Sequence, residues 1–193
     1  MVRFAEWGDE YEKSPGHLDS LTVPEAWAQE RDGAVTPIQV KKGGDGFPLT
    51  GASKSMSLQA ETIFNVIGGN PQGKGDQAGP SRRPFFYARW QVPGTEAGKP
   101  TMNFDIVPTG KPNEVCVYFR GKPLPDVEVF AHMPEGKEAT LKSDKNGVVT
   151  VPSTAPGIYM LNCKRYREMI NGFSGGRPYT AVSHNCSLTW RQP

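Results

Sequence analysis

The chain has 193 residues, which is enough for one large domain or two small ones, each with its own core. Apolar residues make up 36% of the chain, and the 22 glycines and 18 prolines supply about a fifth, a composition typical of loop-rich β proteins. The net charge of +2, with both signs interspersed, excludes nucleic-acid binding driven by a clustered basic surface. No apolar run is long enough to span a bilayer.

In the first half of the chain, short runs of strand-like composition alternate with glycine and proline. The clearest helical signal covers residues 23–31, where Thr22 and Glu25 fit a capping box and Pro24 falls in the first turn. This pattern predicts a short helix or turn, the alternative being a loop packed by Trp27. The predicted strands of this half are 2–7, 36–42, 47–50, 56–67, 84–92 and 102–108.

A glycine-rich stretch separates two of these predicted strands. Residues 68–83 contain five glycines and several consecutive turn-forming residues, which do not build a strand. We therefore expect a long, mobile surface loop at 68–83.

Residues 108–113 combine proline, glycine and asparagine and predict a domain boundary. The chain is then divided into residues 1–110, an N-terminal β-sandwich that carries the glycine-rich loop, and residues 111–193, a second β-sandwich. The predicted strands of the second half are 114–120, 126–133, 137–143, 147–152, 157–167 and 179–191. Short strands at regular spacing are typical of sandwiches, so the predicted fold is all-β with two consecutive sandwiches.

The three cysteines allow at most one intramolecular disulfide. Antiparallel pairing of the last two strands, through a turn near residues 172–176, places Cys163 opposite Cys186 with both thiols on the apolar face. Two outcomes remain open for this pair, a disulfide or two buried thiols, and in both Cys116 stays free.

The predicted strand at 84–92 is rich in aromatic residues. By alternation, Tyr87 and Arg89 lie on one face, and Phe86 and Trp90 lie on the other face, which is interpreted as core. Tyr87 and Arg89 are therefore candidates for stacking on a planar ligand. The alternative is a strand that is buried on both faces.

The second half carries motifs of a known module. These are Gly121-Lys122-Pro123-Leu124, Val127-Glu128-Val129, Asp144-x-x-Gly147 and Pro156-Gly157-Ile158-Tyr159. They resemble the transthyretin-like, Cna-B-like or carboxypeptidase-regulatory-like module, which is a seven-stranded sandwich. The resemblance implies that the second sandwich has this fold, and it says little about function.

The order of a β-rich first half and this module resembles a family of exported bacterial proteins of unknown function. The closing stretch also resembles that family in Arg167-Glu168, Gly172, Gly176-x-x-Tyr179 and Ser183-His184-Asn185. Some members are associated with nickel or cobalt uptake, which implies a cell-envelope partner such as a transporter. The chain opens inside a strand-like run without a visible leader, so we expect a periplasmic or secreted protein whose leader is removed, the alternative being a cytosolic protein.

Imidazole and soft sulfur ligands suit nickel, cobalt or copper in an exported protein. His184 and Cys186 are two residues apart on one predicted strand and therefore share a face. His132 ends a neighbouring strand of the same module. These three residues are the candidate metal ligands, the alternative being a buried thiol pair and surface histidines.

No nucleophile has a base at a recognisable spacing, and the GxSxG spacing is absent. We therefore expect an exported, non-enzymatic binding or accessory protein, connected with divalent-metal handling. The alternative is a structural, carbohydrate-binding or peptide-binding adhesion module of the cell envelope. We expect neither a nucleic-acid partner nor a membrane-spanning segment.

Overall fold

The computed structural model describes residues 1–51, 56–70, 72, 74, 79–91 and 96–193. Within these ranges, helical conformation is confined to two 3₁₀ turns, at His17–Ser20 and Pro134–Gly136. The strands in chain order are β1 (Glu25–Gln29), β2 (Val35–Val40), β3 (Leu49–Thr50), β4 (Ser57–Ile63), β5 (Arg82–Gln91), β6 (Phe104–Pro108), β7 (Glu114–Phe119), β8 (Lys122–Pro123), β9 (Glu128–His132), β10 (Glu138–Lys142), β11 (Val148–Thr150), β12 (Gly157–Glu168), β13 (Gly172–Ser174), β14 (Arg177–Tyr179) and β15 (Ala181–Gln192). The all-β prediction is confirmed, and every predicted strand from 36–42 onward overlaps an observed one.

The strands form one large sheet, one small sheet and a projecting ribbon. The large sheet has nine strands in the order β10-β9-β12-β15-β5-β4-β1-β2-β3. The second sheet contains β11-β7-β6, with β8 beside β7, and β13 and β14 pair as a separate ribbon. All pairs in the large sheet are antiparallel except β15 with β5, which run parallel over nine residue pairs.

Strands from the two sides of the predicted boundary at 108–113 hydrogen-bond to one another in both sheets. β6 and β7 pair across this connection, and β5 of the first half joins β15 of the second half in the large sheet. Strands β1 to β5 all lie in the large sheet, so the first half does not supply two facing layers of strands within the described residues. The structure therefore differs from two separate sandwiches divided near residue 110, because the parallel pairing of β5 and β15 fuses the halves.

The outer face of the N-terminal strands is covered by the irregular segment 1–21 instead of a second sheet. Val2 forms an isolated bridge with Phe47 where a strand at 2–7 was predicted. The Phe4 ring packs edge-on against Phe86 with the centroids 4.9 Å apart. Leu18, in the same segment, is fully buried. These contacts bury part of the apolar outer face of the large sheet.

The predicted helix at 23–31 is wrong, and so is the alternative of a loop. Residues 25–29 form β1, which pairs with β2 on one side and β4 on the other. Ala26 and Ala28 are buried on the outer face, whereas Trp27 packs against the main core on the other face. Ladder hydrogen bonds along both edges of β1 outweigh a local capping signal that involves only neighbours in sequence.

The last two long strands confirm the predicted register of the cysteines. Cys163 lies opposite Cys186 in the β12–β15 ladder, and both side chains are buried on the inner face of the large sheet. The structure has all three cysteines as free thiols.

The glycine-rich stretch lies partly outside the described residues, at positions 71, 73 and 75–78. Its last two residues, Arg82 and Arg83, belong to β5. Among the described residues, no helix has the length and apolar character that a membrane crossing requires.

The two sheets enclose the main core, and a buried ion pair joins them across it. Arg89 of β5 donates from Nε to Asp105 Oδ1 at 2.9 Å and from Nη2 to Asp105 Oδ2 at 2.6 Å. Both side chains are fully buried. Further donation from Arg89 reaches Ser57 Oγ, Thr101 Oγ1 and the Lys99 carbonyl. The pair therefore connects the centre of the large sheet to β6 and to the segment that precedes it.

Neutralising one partner of this pair tests its contribution to stability. Asp105→Asn leaves the Arg89 guanidinium buried without a counter-charge, which is expected to lower the free energy of unfolding by about 3–5 kcal/mol. Chemical denaturation of the variant and the wild type measures this difference.

The matched control is Glu135→Gln, which removes the exposed Glu135–Lys137 pair and is expected to leave the unfolding midpoint unchanged. The double variant Arg89→Met/Asp105→Leu is expected to recover much of the loss, because it buries no charge. A midpoint for Asp105→Asn equal to that of the control contradicts the assigned role of the pair.

Candidate functional site

His184, the first candidate ligand, lies on β15 and points into the interior between the two sheets. Its Cα partners are Phe85 on β5 and Tyr166 on β12. Phe119 at the end of β7 contacts the imidazole from the second sheet, with the ring centroids 5.1 Å apart. The imidazole therefore lies in an aromatic enclosure built from both sheets.

A bulge in β12 decides which side chains accompany His184. In the β12–β15 ladder, the residue numbers of two paired residues add up to 349 as far as Cys163 and to 350 from Tyr166 onward. Arg165 occupies the bulge with a positive φ of 60°, and its amide donates to the Asn185 side chain at 3.0 Å. Since one residue of shift exchanges the two faces of a strand, the bulge places Tyr166 and Glu168 on the inner face, where Arg165 and Arg167 would otherwise lie.

Both ring nitrogens of His184 have protein partners. Nε2 lies 3.0 Å from Glu168 Oε2, and Nδ1 lies 3.0 Å from the Tyr87 hydroxyl. The same Glu168 oxygen accepts from Arg120 Nη2 at 2.9 Å. A carboxylate only accepts, so in the neutral imidazole Nε2–H donates to Glu168 and the Tyr87 hydroxyl donates to Nδ1. We call Tyr87, His184, Glu168 and Arg120 the histidine relay.

Burial favours the uncharged forms of His184 and Tyr87. Desolvation lowers the pKa of His184, although the hydrogen bond with Glu168 partly opposes this. Desolvation also raises the pKa of Tyr87, and the nearby charge of Glu61 acts in the same direction. A neutral imidazole and a protonated phenol fit the hydrogen-bond directions given above.

The predicted metal ligands do not converge. His132 lies on the outer face of the large sheet, opposite Met160 and Glu138, where it stacks on Trp7 and pairs with Glu138 at 2.8 Å. Thr189 of β15 is level with His132 across the sheet, and His184 and Cys186 lie an odd number of residues from Thr189. They therefore point to the opposite, inner face. Alternation along the pleat therefore separates the two histidines by the thickness of the sheet.

Cys186 shares a face with His184 as predicted, but it lies deep in the core. Burial raises the pKa of its thiol well above the ordinary value, which disfavours the thiolate that a metal requires. Within the described ranges, no group of three or more histidine, cysteine or carboxylate side chains is arranged to hold a metal ion.

The two predicted ligand-stacking residues are also internal. Tyr87 and Arg89 are buried on the inner face of β5, whereas Trp90 on the other face is 40% exposed. The assignment of the two faces was therefore reversed. The second sheet covers the face of Tyr87 and Arg89, and Asp105 supplies the counter-charge that lets Arg89 be buried.

The connection between β12 and β15, which includes the ribbon β13–β14, presents the most exposed apolar side chains of the described residues. Met169, just before the ribbon, is 77% exposed, and Phe173 of β13 is 70% exposed, while Ile170 between them in sequence is 42% exposed. We call these three residues the apolar tip. Large apolar residues so close together on a surface are typical of an interaction site.

Two contacts fix the position of the ribbon. Arg177 of β14 donates to the carbonyls of Val66 and Gly68, at 2.7 and 2.9 Å. The Tyr179 ring lies directly over Gly172, where a Cβ would approach the ring to 2.3 Å. Only glycine allows this contact, so Gly172 and Arg177 fix the ribbon and leave the apolar tip outward.

Sequence reasoning named His184 but missed Glu168 and the apolar tip. Glu168 directly follows the predicted strand 157–167, in which the assignment of faces reverses at the bulge, and a bulge leaves no clear mark in the sequence. The tip had a usable signal, since Met169, Ile170 and Phe173 stand among glycine and polar residues in a predicted turn.

Comparison of the chain with protein-family models, curated protein sequences and solved structures finds no match.

The buried imidazole predicts a pH dependence of stability. The pKa of His184 is lowered in the folded state from 6.5, so the unfolded chain binds this proton more readily. The contribution is fully present above pH 6.5 and is lost progressively as the pH falls below that value. Denaturation at pH 7.5, 6.5 and 5.5 is expected to show a steeper loss for the wild type than for His184→Gln. His17→Gln, at an exposed histidine, should follow the wild type, and equal slopes for all three proteins contradict the prediction.

Metal titration tests the predicted ligands directly. Because both nitrogens of His184 are engaged and buried, we expect His184→Ala to bind nickel, cobalt and copper ions as the wild type does. Calorimetry on the two proteins, with His132→Ala as a third, measures this. Loss of a binding step in His184→Ala alone contradicts the placement described above.

Proposed function

We propose that the protein is an exported, non-enzymatic binding module, an accessory protein of the cell envelope, and that it attaches to its partner through the ribbon β13–β14. The exposure of Met169 and Phe173 at this ribbon carries the proposal. A folded chain gains stability by burying such side chains, so leaving them in solvent favours a role in contact with something else.

The arrangement of the polar residues supports the same proposal. In the interior, Arg89 and Asp105 hydrogen-bond to each other, and the residues of the histidine relay hydrogen-bond among themselves. Their hydrogen-bonding groups are used to connect β5, β6, β12 and β15, which is a structural use. Among the large apolar side chains of the described residues, Met169 and Phe173 are the most exposed.

The resemblance to exported proteins associated with nickel or cobalt uptake suggests the setting of this module. Since His184 and His132 lie on opposite faces of the sheet, the proposal does not place a metal ion on them. A connection with metal uptake then rests on contact with a cell-envelope partner, and on this proposal the closing hairpin of this chain makes the contact.

Site-specific photo-crosslinking in cells that export the full chain tests the proposal. A photoreactive amino acid at Phe173 is expected to form adducts with an envelope component, whereas the same group at Ile158 is not. Ile158 is a matched control, because it is also an exposed apolar residue but lies at the far end of β12. Adducts are detected by mass shift and identified by mass spectrometry. Equal labelling at both positions, or none at Phe173, overturns the proposal.

A further inference from the structure

The segment that carries the apolar tip is rich in cations. Residues 164–181 contain four cations and one carboxylate, and the adjacent turn adds Arg120 and Lys122. The net formal charge of these residues is +5, whereas the whole chain carries +2, so the remaining residues together carry −3. Positive charge is therefore concentrated around the apolar tip.

Some of these cations have partners in the structure: Lys164 pairs with Glu6, Arg120 pairs with Glu168, and Arg177 donates to backbone carbonyls. Glu168 points inward, where it accepts from Arg120 and from His184. The side chain of Arg167 is exposed on the outer face of β12, and Arg120 remains more than half exposed although it pairs with Glu168. The surface around the tip thus presents cations and large apolar side chains together.

We infer that the apolar tip and its surrounding cations attach the protein to an anionic lipid surface. This inference rests on the proposed function and names the envelope component that the ribbon contacts. Apolar side chains enter the boundary between headgroups and acyl chains, while arginine and lysine pair with lipid phosphates, and the two contributions add. Both groups are present here within one exposed segment.

The size of the tip favours a lipid surface over a protein partner. Because the three side chains are already partly covered, they can bury at most roughly 400 Å² more, whereas a stable protein interface buries about 800 Å² on each partner. A fluid interface needs no matching groove, so a few projecting residues suffice, and attachment of this kind is peripheral and reversible.

Vesicle co-sedimentation of the full chain tests the inference. Vesicles of phosphatidylcholine with 30% phosphatidylglycerol are expected to bind the protein, and vesicles of phosphatidylcholine only are expected to bind it at least ~10-fold more weakly. Phe173→Ser is expected to lower the partition coefficient ~10-fold or more. Raising the salt concentration to 0.5 M should also weaken binding, because it screens the cations from the phosphates.

Two matched controls separate the tip from general surface effects. Ile158→Ser removes an exposed apolar residue elsewhere on β12, and Lys41→Gln removes an exposed cation distant from the ribbon, so both should bind as the wild type does. Arg167→Gln should bind anionic vesicles more weakly. In Phe173→Trp, brominated acyl chains should quench more fluorescence than in Ile158→Trp, which locates the tip in the bilayer interface. Equal thermal midpoints show that the variants are folded.

Equal binding of the wild type and Phe173→Ser, or no preference for anionic vesicles, overturns the inference. Crosslinks from Phe173 to an envelope protein, together with no vesicle binding, reject the lipid surface and leave the binding module in place. If the protein neither forms crosslinks from Phe173 nor binds vesicles, the proposed function is rejected as well.

Discussion

The Arg89–Asp105 ion pair is the interaction on which the arrangement of the two sheets depends. A guanidinium in the centre of a sheet face is tolerated only with a counter-charge in hydrogen-bond contact, and β6 supplies that charge from the facing sheet. Neighbouring positions in the same inner row, such as Gln59 and Leu188, are thereby held over the core. A slip of one residue in β5 would turn Arg89 away from Asp105, so the pair also fixes the register of the large sheet.

The parallel pairing of β5 with β15 makes a single sheet out of two antiparallel halves. Its consequence is that both faces of the large sheet run continuously from one half to the other. The N-terminal segment uses this continuity, since Phe4 packs over β5, Glu6 pairs with Lys164 of β12 and Trp7 stacks on His132 of β9. The histidine relay uses it on the inner face, where Tyr87 comes from one half and His184 from the other.

A few side chains of this molecule stand in places that are unusual for their polarity. Arg89, Asp105 and His184 are buried and satisfy one another or their neighbours, whereas Met169 and Phe173 stand in solvent. Internal polar networks give a fold specificity when every member has its partners. The exposed ribbon has no such explanation within the fold, and this contrast directs attention to it as the functional surface.

The sequence by itself determined the all-β class, the positions of nearly all strands and the pairing of Cys163 with Cys186. These features follow from local alternation, from turn residues such as Asp144 and Gly147, and from the constant sum of partner numbers in a hairpin. Only the tertiary structure decided that residues 25–29 are a strand, that Tyr87 and Arg89 face inward, and that His132 and His184 lie on opposite faces. Each of these depends on partners distant in sequence: the ladders on both sides of β1, the charge of Asp105, and the register of β9, β12 and β15. Local patterns carry no information about such partners, so the candidate site, unlike the strands, became visible only once the sheets were assembled.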